Sequence, residues 1–131
     1  MSVNTNSQFR RVLIVEDEPL LALNIDDMLT ELGYSVAGTA TRIETALLLA
    51  ANREFEIAVL DINLAGSNTF PVADILRARG IPFVFTSGYG PGGLVDGYRE
   101  AHLLTKPFGI RELEHIIAQS LSAVSSSRPQ L

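Results

Sequence analysis

The chain predicts an α/β fold, a (βα)5 alternation folded into a doubly wound parallel sheet of strand order 2-1-3-4-5, with its fourth helix degenerate or replaced by loop. Three observations in the 131 residues predict it. Short runs such as Val12–Val15 and Ile57–Leu60 are apolar throughout, as strands buried on both faces are. Segments with a 3.6-residue apolar period alternate with them. Such alternation favours one parallel sheet with right-handed crossovers and helices on both faces.

The elements follow in order. Val12–Val15 is the first strand. Pro19 suits the first turn of a helix, whose apolar residues Leu21, Ile25, Met28, Leu29 and Leu32 share a face. Gly33 ends it as the residue after the cap. Tyr34–Thr39 reads as the second strand. Thr41 and Glu44 form a capping-box pattern for a second helix with Ile43, Leu47 and Ala50 on its apolar face. Ile57–Leu60 is the third strand, followed by a polar loop, Asp61–Thr69. Pro71 opens a helix that runs to Arg79, and Gly80 closes it. Ile81–Thr86 and Ala101–Thr105 are the last two strands. Ile110–Val124 is a final amphipathic helix with Ile110, Leu113, Ile117, Leu121 and Val124 on one face. Between the last two strands, Gly88–Tyr98 holds five glycines and Pro91. Each interior glycine costs a helix about 1 kcal/mol relative to alanine, so a loop or one short turn is expected there. A long glycine-rich segment of this kind is often functional.

Length and composition bound the function. The chain suffices for one domain with a core, and 47% hydrophobic residues argue for a globular fold. A net charge of −5 argues against nucleic-acid binding, which needs a basic face. The absence of cysteine removes thiol nucleophiles, thiolate metal sites and disulfides. Met1–Arg10 lacks a signal-peptide core, and no apolar run approaches the roughly 20 residues of a spanning helix. The expected location is the cytoplasm, with no membrane partner. The expected organisation is a flexible lead over 1–9, one domain over 10–124 and a disordered tail over 125–131.

A polar residue follows or ends each apolar run. Glu16 and Asp17 follow the first, Asp61 follows the third, Ser87 closes the fourth, and Lys106 with Pro107 comes just after the fifth. In a parallel sheet these residues gather at the carboxyl edge, where open α/β sheets place ligands. Three carboxylates held together repel one another and recruit a cation, and a hard oxygen site suits Mg²⁺. Asp61, presented rigidly by a buried strand, has the chemistry of a nucleophile toward phosphorus. Lys106 suits pairing with a phosphoryl group or carboxylate. Ser87 is placed to donate a hydrogen bond to a phosphoryl oxygen, and Gly88 lets a backbone N–H approach. Read alone, each residue also has a plain structural alternative. The acidic trio is also an ordinary helix-start turn, Lys106 a surface lysine and Ser-Gly a turn pair. His102, His115, Phe83 and Phe85 read as packing or surface residues, and Arg77, Arg79 and Arg111 as solvated helix faces. Tyr89, between Gly88 and Gly90, is expected to be exposed.

These residues and motifs resemble the receiver (response-regulator) domain of two-component signalling. The resemblance covers 10–124. It rests on VLIVEDEP at 12–19, VLDINL at 59–64, PFVFTSGYG at 82–90 and LTKPF at 104–108, with 44 residues from Asp17 to Asp61. It implies a flavodoxin/receiver-like sheet and a phosphoacceptor role for Asp61. It also implies Mg²⁺ ligation by the side chains of Asp17 and Asp61, by the Asn63 backbone carbonyl and by Glu16 through water. Ser87 would be the switch hydroxyl, with Thr86 its neighbouring competitor, and Lys106 the counter-charge. The donor implied is a histidine kinase or a histidine phosphotransfer protein, and the acceptor a monomer or weak dimer that turns over no external substrate. Many receivers carry an aromatic residue three before the lysine, Pro four after the acceptor and Gly eight after it. Here those positions are Leu103, Ala65 and Thr69. PFVFTSGYG is similar to the FATGY-type single-domain receivers of α-proteobacteria, which places the conformational response in Ser87–Arg99. With little sequence after the last helix, the expected protein acts by binding, relaying or draining phosphate. A receiver excised from a hybrid kinase, a phosphorylation-independent pseudo-receiver and an aspartyl-nucleophile phosphohydrolase remain alternatives. The last usually needs a second Asp where Asn63 stands.

Overall fold

The structure, a computed structural model, describes residues 10–89 and 93–127. Strand β1 (Arg11–Val15) leads into helix α1 (Pro19–Glu31), β2 (Ser35–Ala40), α2 (Ile43–Asn52) and β3 (Ile57–Asp61). Two short strands follow, β4 (Asn63–Leu64) and β5 (Ser67–Asn68), then α3 (Phe70–Arg79), β6 (Phe83–Ser87), β7 (His102–Thr105) and α4 (Ile110–Ser127). The main sheet has five parallel strands in the order β2-β1-β3-β6-β7. Counting those five alone, this is the expected order 2-1-3-4-5.

The sheet is covered on both faces. Leu13, Val15, Ala58, Leu60 and Phe85 point into one layer with Ala46 and Ala50 of α2 and Val72, Ala73 and Leu76 of α3. The alternate positions Val12, Ile14, Ile57, Val59 and Val84 point into the other, with Ile25 and Leu29 of α1 and Leu113 and Ile117 of α4. Because every residue of β3 is buried, the strand has no solvent face, which accounts for its unbroken apolar run. Each large aliphatic buried this way contributes about 1.5–3 kcal/mol.

Helix ends follow local chemistry. Tyr34 N–H donates to Leu29 O and Gly33 N–H to Thr30 O, a Schellman closure that requires the φ of +97° at Gly33. The same pair of bonds, Ile81 to Leu76 and Gly80 to Arg77, ends α3. The capping box expected at Thr41 is absent. The residue before α2 is Arg42, in an extended conformation without a side-chain cap, and Glu44 faces the Arg42 guanidinium at 3.7 Å instead.

Three other expectations are corrected. The polar loop after Asp61 contains a hairpin, with Asn63 opposite Asn68 and Leu64 opposite Ser67. Its two-residue turn has positive φ at both Ala65 (+50°) and Gly66 (+91°), a type I′ turn. Helix α4 continues to Ser127, three residues beyond its expected end at Val124, so 125–127 are helical. Residues 128–131, the expected lead over 1–9, and Gly90, Pro91 and Gly92 of the glycine-rich segment lie outside the described residues. Arg77 and Arg79 are not simply solvated. The Arg77 guanidinium stacks 4.1 Å from the Tyr98 ring centroid, and Arg79 donates to the carbonyls of Ala50 and Arg53 at 2.6 and 3.0 Å, tying α3 to the end of α2. Arg111 does fit the expected exposed face, meeting Glu114 at 3.8 Å. The Lys106–Pro107 peptide bond is cis.

No α-helix stands among the described residues of 88–101; Gly93 belongs to a short 3₁₀ turn. Two side chains anchor that connection to the core: Leu94, 4% exposed, and Tyr98, 6% exposed. The Tyr98 ring packs against Phe70, Phe83 and Phe85 at centroid distances of 5.2, 6.1 and 5.8 Å, and its hydroxyl donates to the Asp74 carboxylate. Aromatic pairs at such distances are worth about 0.5–1.5 kcal/mol beyond burial. Leu103, at the position where an aromatic was missed in the sequence, is a half-buried aliphatic against the same layer.

Burial, and then the hydrogen bond to Asp74, push the Tyr98 phenol up to about 12. The neutral phenol is therefore favoured by folding, so this stabilisation is complete below pH 10 and is lost as pH rises toward 12. Absorbance titration of a Tyr34→Phe, Tyr89→Phe protein isolates Tyr98, and its ionisation is expected near 12, moving down in Asp74→Asn. A second expectation comes from the turn. Asparagine tolerates positive φ better than alanine, so Ala65→Asn is expected to stabilise the fold by about 0.5–1 kcal/mol in denaturant melts.

Candidate functional site

The chain delivers its polar residues to one end of the sheet because parallel strands all finish there. Glu16 extends β1 by one ladder bond, its N–H donating to Ala40 O at 3.0 Å. Asp61 is the last residue of β3 and Ser87 the last of β6, while Lys106 directly follows β7, its N–H donating to Ser87 O at 2.8 Å. Strands β1 and β3 are neighbours in space, and the chain leaves them in opposite directions across the sheet. Such a switch point opens a crevice at the carboxyl edge.

Carboxylate oxygens of Glu16, Asp17 and Asp61 lie within 4.8 Å of one another. Lys106 Nζ sits 3.0 Å from both Asp61 Oδ2 and Glu16 Oε1. Glu16 is 1% exposed and Asp61 7% exposed. Glu16 Oε2 accepts the Glu18 N–H at 3.1 Å, whereas Oε1 meets the ammonium out of hydrogen-bond alignment. Asp61 Oδ1 accepts the Asn63 N–H at 3.4 Å.

The electrostatics follow from burial. Desolvation raises the Glu16 carboxyl above its ordinary value, Glu18 N–H and Lys106 oppose this, and Asp61 adds repulsion. Asp61 is likewise raised by desolvation first, against the pull of Lys106, with Asp17 adding repulsion. Burial alone would lower Lys106, but Asp61 and Glu16 outweigh it and raise it. One cation thus serves two buried carboxylates with a third beside them. The donor set fits a small hard divalent cation: carboxylate oxygens converge, and Glu16 Oε1 has no hydrogen-bond partner among the described residues.

The rest of the expected set falls around an open cleft of about 890 Å³. Asp17, Asp61, Asn63, Ser87, Gly88, Tyr89 and Lys106 line it. Ser87 Oγ accepts the Tyr89 N–H at 3.0 Å, and Tyr89 is 92% exposed. Thr86 does not line the cleft. It alternates with Ser87 along β6, shares the face of Val84, and its buried hydroxyl has no partner among the described residues. His102 is half-buried on β7 and His115 exposed on α4, and neither joins the acidic cluster. The cleft also has an apolar side of Ile62, Phe70 and Val95 that sequence reading did not assign to the site. The glycine content marked the β6–β7 connection, but only the tertiary fold brings Phe70 of α3 beside it. Thr69 was noticed only as a missing glycine. Its place before Phe70-Pro71 was the available clue to a helix-start residue.

Comparison with known proteins places this geometry. The family model for the response regulator receiver domain matches residues 12–118. The phyllosphere-induced regulator PhyR of Methylorubrum extorquens is 33% identical over 122 residues, 89% of this chain and 45% of the relative. The transcriptional regulatory protein PdtaR of Mycobacterium tuberculosis is 31% identical over 86% of this chain and 57% of its own. The chain thus spans about half the length of the curated relatives it matches. Among solved structures, the Erythrobacter litoralis PhyR receiver domain aligns at a TM-score of 0.78 and 34% identity, covering 93% of this chain and 95% of that one. SdrG of Sphingomonas melonis Fr1 aligns at 0.75 and 36%, covering 91% and 98%. With the family match over most of its length and the five-stranded fold to support it, this chain belongs to the response regulator receiver domain family.

Proposed function

We propose that the chain is a phosphoacceptor of a two-component phosphorelay, phosphorylated on Asp61 by a histidine kinase or a histidine phosphotransfer protein with Mg²⁺. One observation carries the reading. Asp61 is nearly buried at the end of a strand, one carboxylate oxygen on Lys106 and the other on the Asn63 N–H, inside a cluster whose charge is not balanced. A solved SdrG structure described as the BeF3-activated conformation is 37% identical to this chain at a TM-score of 0.74. That description supports acyl-phosphate chemistry at the same fold.

Glu16, Asp17, Asp61 and the Asn63 carbonyl would hold the cation. When bound, it supplies positive charge to the transferring phosphoryl oxygens. The chain's own residues do the rest. An Asp61 carboxylate oxygen bonds to phosphorus as the P–N bond of a phosphohistidine donor breaks, and the imidazole nitrogen leaves with the bonding pair. Lys106 then exchanges part of its pairing with Asp61 for the phosphoryl oxygens. The Ser87 hydroxyl, which now accepts from Tyr89 N–H, keeps its proton to donate to the same group. Such a group shifts a pre-existing equilibrium by the difference in its interactions with the two states. Gly88 and Tyr89 follow Ser87 directly, so movement of the hydroxyl reaches the 87–99 surface, of which 90–92 lie outside the described residues. The reading makes the chain a cytoplasmic binding switch, monomeric or weakly dimeric. It has a protein partner downstream and no external substrate, self-dephosphorylation being its one hydrolytic step.

Intact mass after incubation with acetyl phosphate and Mg²⁺ tests this. A gain of one phosphoryl mass is expected for the wild type and none for Asp61→Asn. No adduct after rapid quenching would instead support a phosphorylation-independent pseudo-receiver. A stability measurement checks the electrostatics separately. Since the fold raises the Asp61 carboxyl, it favours the neutral form, and that contribution is lost as pH rises through the folded value. Without Mg²⁺ at pH 7, Asp61→Asn is therefore expected to raise Tm by roughly 3–5 °C, the equivalent of about 1 kcal/mol in a domain of this size.

A further inference from the structure

Thr69 is fully buried, and its hydroxyl donates to the carbonyl of Asp61 at 2.7 Å, with a longer contact to the Ile62 carbonyl at 3.3 Å. Its own N–H donates to Ile62 O at 2.9 Å. It precedes α3 but does not cap it with its side chain, because the hydroxyl is turned back to β3. Its carbonyl accepts from Val72 and Ala73 N–H, so the same residue begins the helix.

The consequence lies in the two peptide planes that follow Asp61. The first is held at its carbonyl by Thr69 Oγ1 and at its N–H by Thr86 O, 3.0 Å from Ile62 N. The second is held at its carbonyl by Thr69 and ends in the Asn63 N–H, which reaches Asp61 Oδ1 at 3.4 Å. That last bond is at the limit of useful length, so a small rotation of either plane breaks it. Through the Asn63 N–H the planes bear on the rotation of the Asp61 carboxylate, and they fix the start of the Asn63 backbone, one φ/ψ pair before its carbonyl. We infer that Thr69 is a positioning residue for phosphoryl acceptance: through its hydroxyl it fixes the Asp61 carboxylate and the Asn63 carbonyl in their working directions. This rests on the proposed phosphoacceptor role of Asp61 and adds a residue to that site.

The test compares Thr69→Val, which keeps the shape and removes the hydroxyl, with Thr69→Ser, which keeps the hydroxyl. Phosphorylation rate with acetyl phosphate and Mg²⁺ affinity by amide NMR titration are read on both. Loss of an outer-shell partner of this kind typically costs 10–100-fold, so Thr69→Val is expected to lose about tenfold or more in each. Thr69→Ser is expected to stay within about threefold of the wild type. Leu76→Ala, a cavity two turns further along α3, is the control for general destabilisation, and is expected to keep the wild-type rate below its melting range. Wild-type values in Thr69→Val, or an equal loss in Leu76→Ala, would overturn the inference. If the wild type takes no phosphate, the phosphoacceptor reading fails first, and the Mg²⁺ titration alone decides whether Thr69 positions Asn63. If the wild type takes neither phosphate nor Mg²⁺, both readings fall together.

Discussion

The crowding of negative charge around Lys106 governs the rest of the structure. Three carboxylates converge, two of them nearly buried, and one ammonium reaches both. Removing charge from water costs several kcal/mol per ion unless partners compensate. Here the compensation is partial by construction, since burial still raises both carboxyls. A fold optimised for stability alone would not keep this arrangement. The sheet, covered on both faces, supplies the support: three of its strands, β1, β3 and β6, are buried along most of their length. Their ends cannot splay to relieve the repulsion. The strain is left to whatever positive charge enters the cleft.

Lys106 holds its place by two different means. Its backbone is fixed through Ser87 O, so the lysine and Ser87 belong to one hydrogen-bonded junction between β6 and β7. Its side chain crosses to β1 and β3. The lysine therefore senses charge on Asp61 while its main chain is tied to the residue proposed to answer that charge. No rearrangement of the sheet is needed to couple them.

Much of this was legible in the sequence, for a physical reason. Apolar runs of about four to six residues bounded by turn signals and alternating with helical periods read as buried strands, and a polar residue at the end of such a run is presented by the rigid part of the fold. Glu16, Asp61, Ser87 and Lys106 were found this way, and the structure brings them to one edge. What escaped notice depends on contacts between distant segments. Arg77 looks like a solvated helix residue until Tyr98 arrives beneath it. Thr69 looks like a departure from a glycine until its hydroxyl meets the Asp61 carbonyl. The capping box at Thr41 failed for the opposite reason. The local signal was present, but the chain enters α2 extended from the end of β2, and Glu44 turned to Arg42.

The two sides of the site differ in how firmly they are held, and the difference suits a switch. On the Asp61 side both following peptide planes are bonded at both ends, and α3 begins at the residue that bonds them. On the Ser87 side the hydroxyl meets one backbone N–H, after which the connection depends on Leu94 and Tyr98 for anchorage. The Tyr98 ring touches Phe70, which directly follows Thr69, so the firm side and the loose side share an aromatic contact. An α-helix over 88–101 would have added its own hydrogen-bond ladder. Among the described residues the connection is held instead by the turns Tyr98 N–H to Val95 O and Ala101 N–H to Tyr98 O and by the buried side chains of Leu94 and Tyr98. A residue proposed to accept gains from being held still, and residues proposed to respond gain from lighter restraint. Helix α3 follows Asp61 within nine residues, whereas the described residues between Ser87 and β7 hold no α-helix.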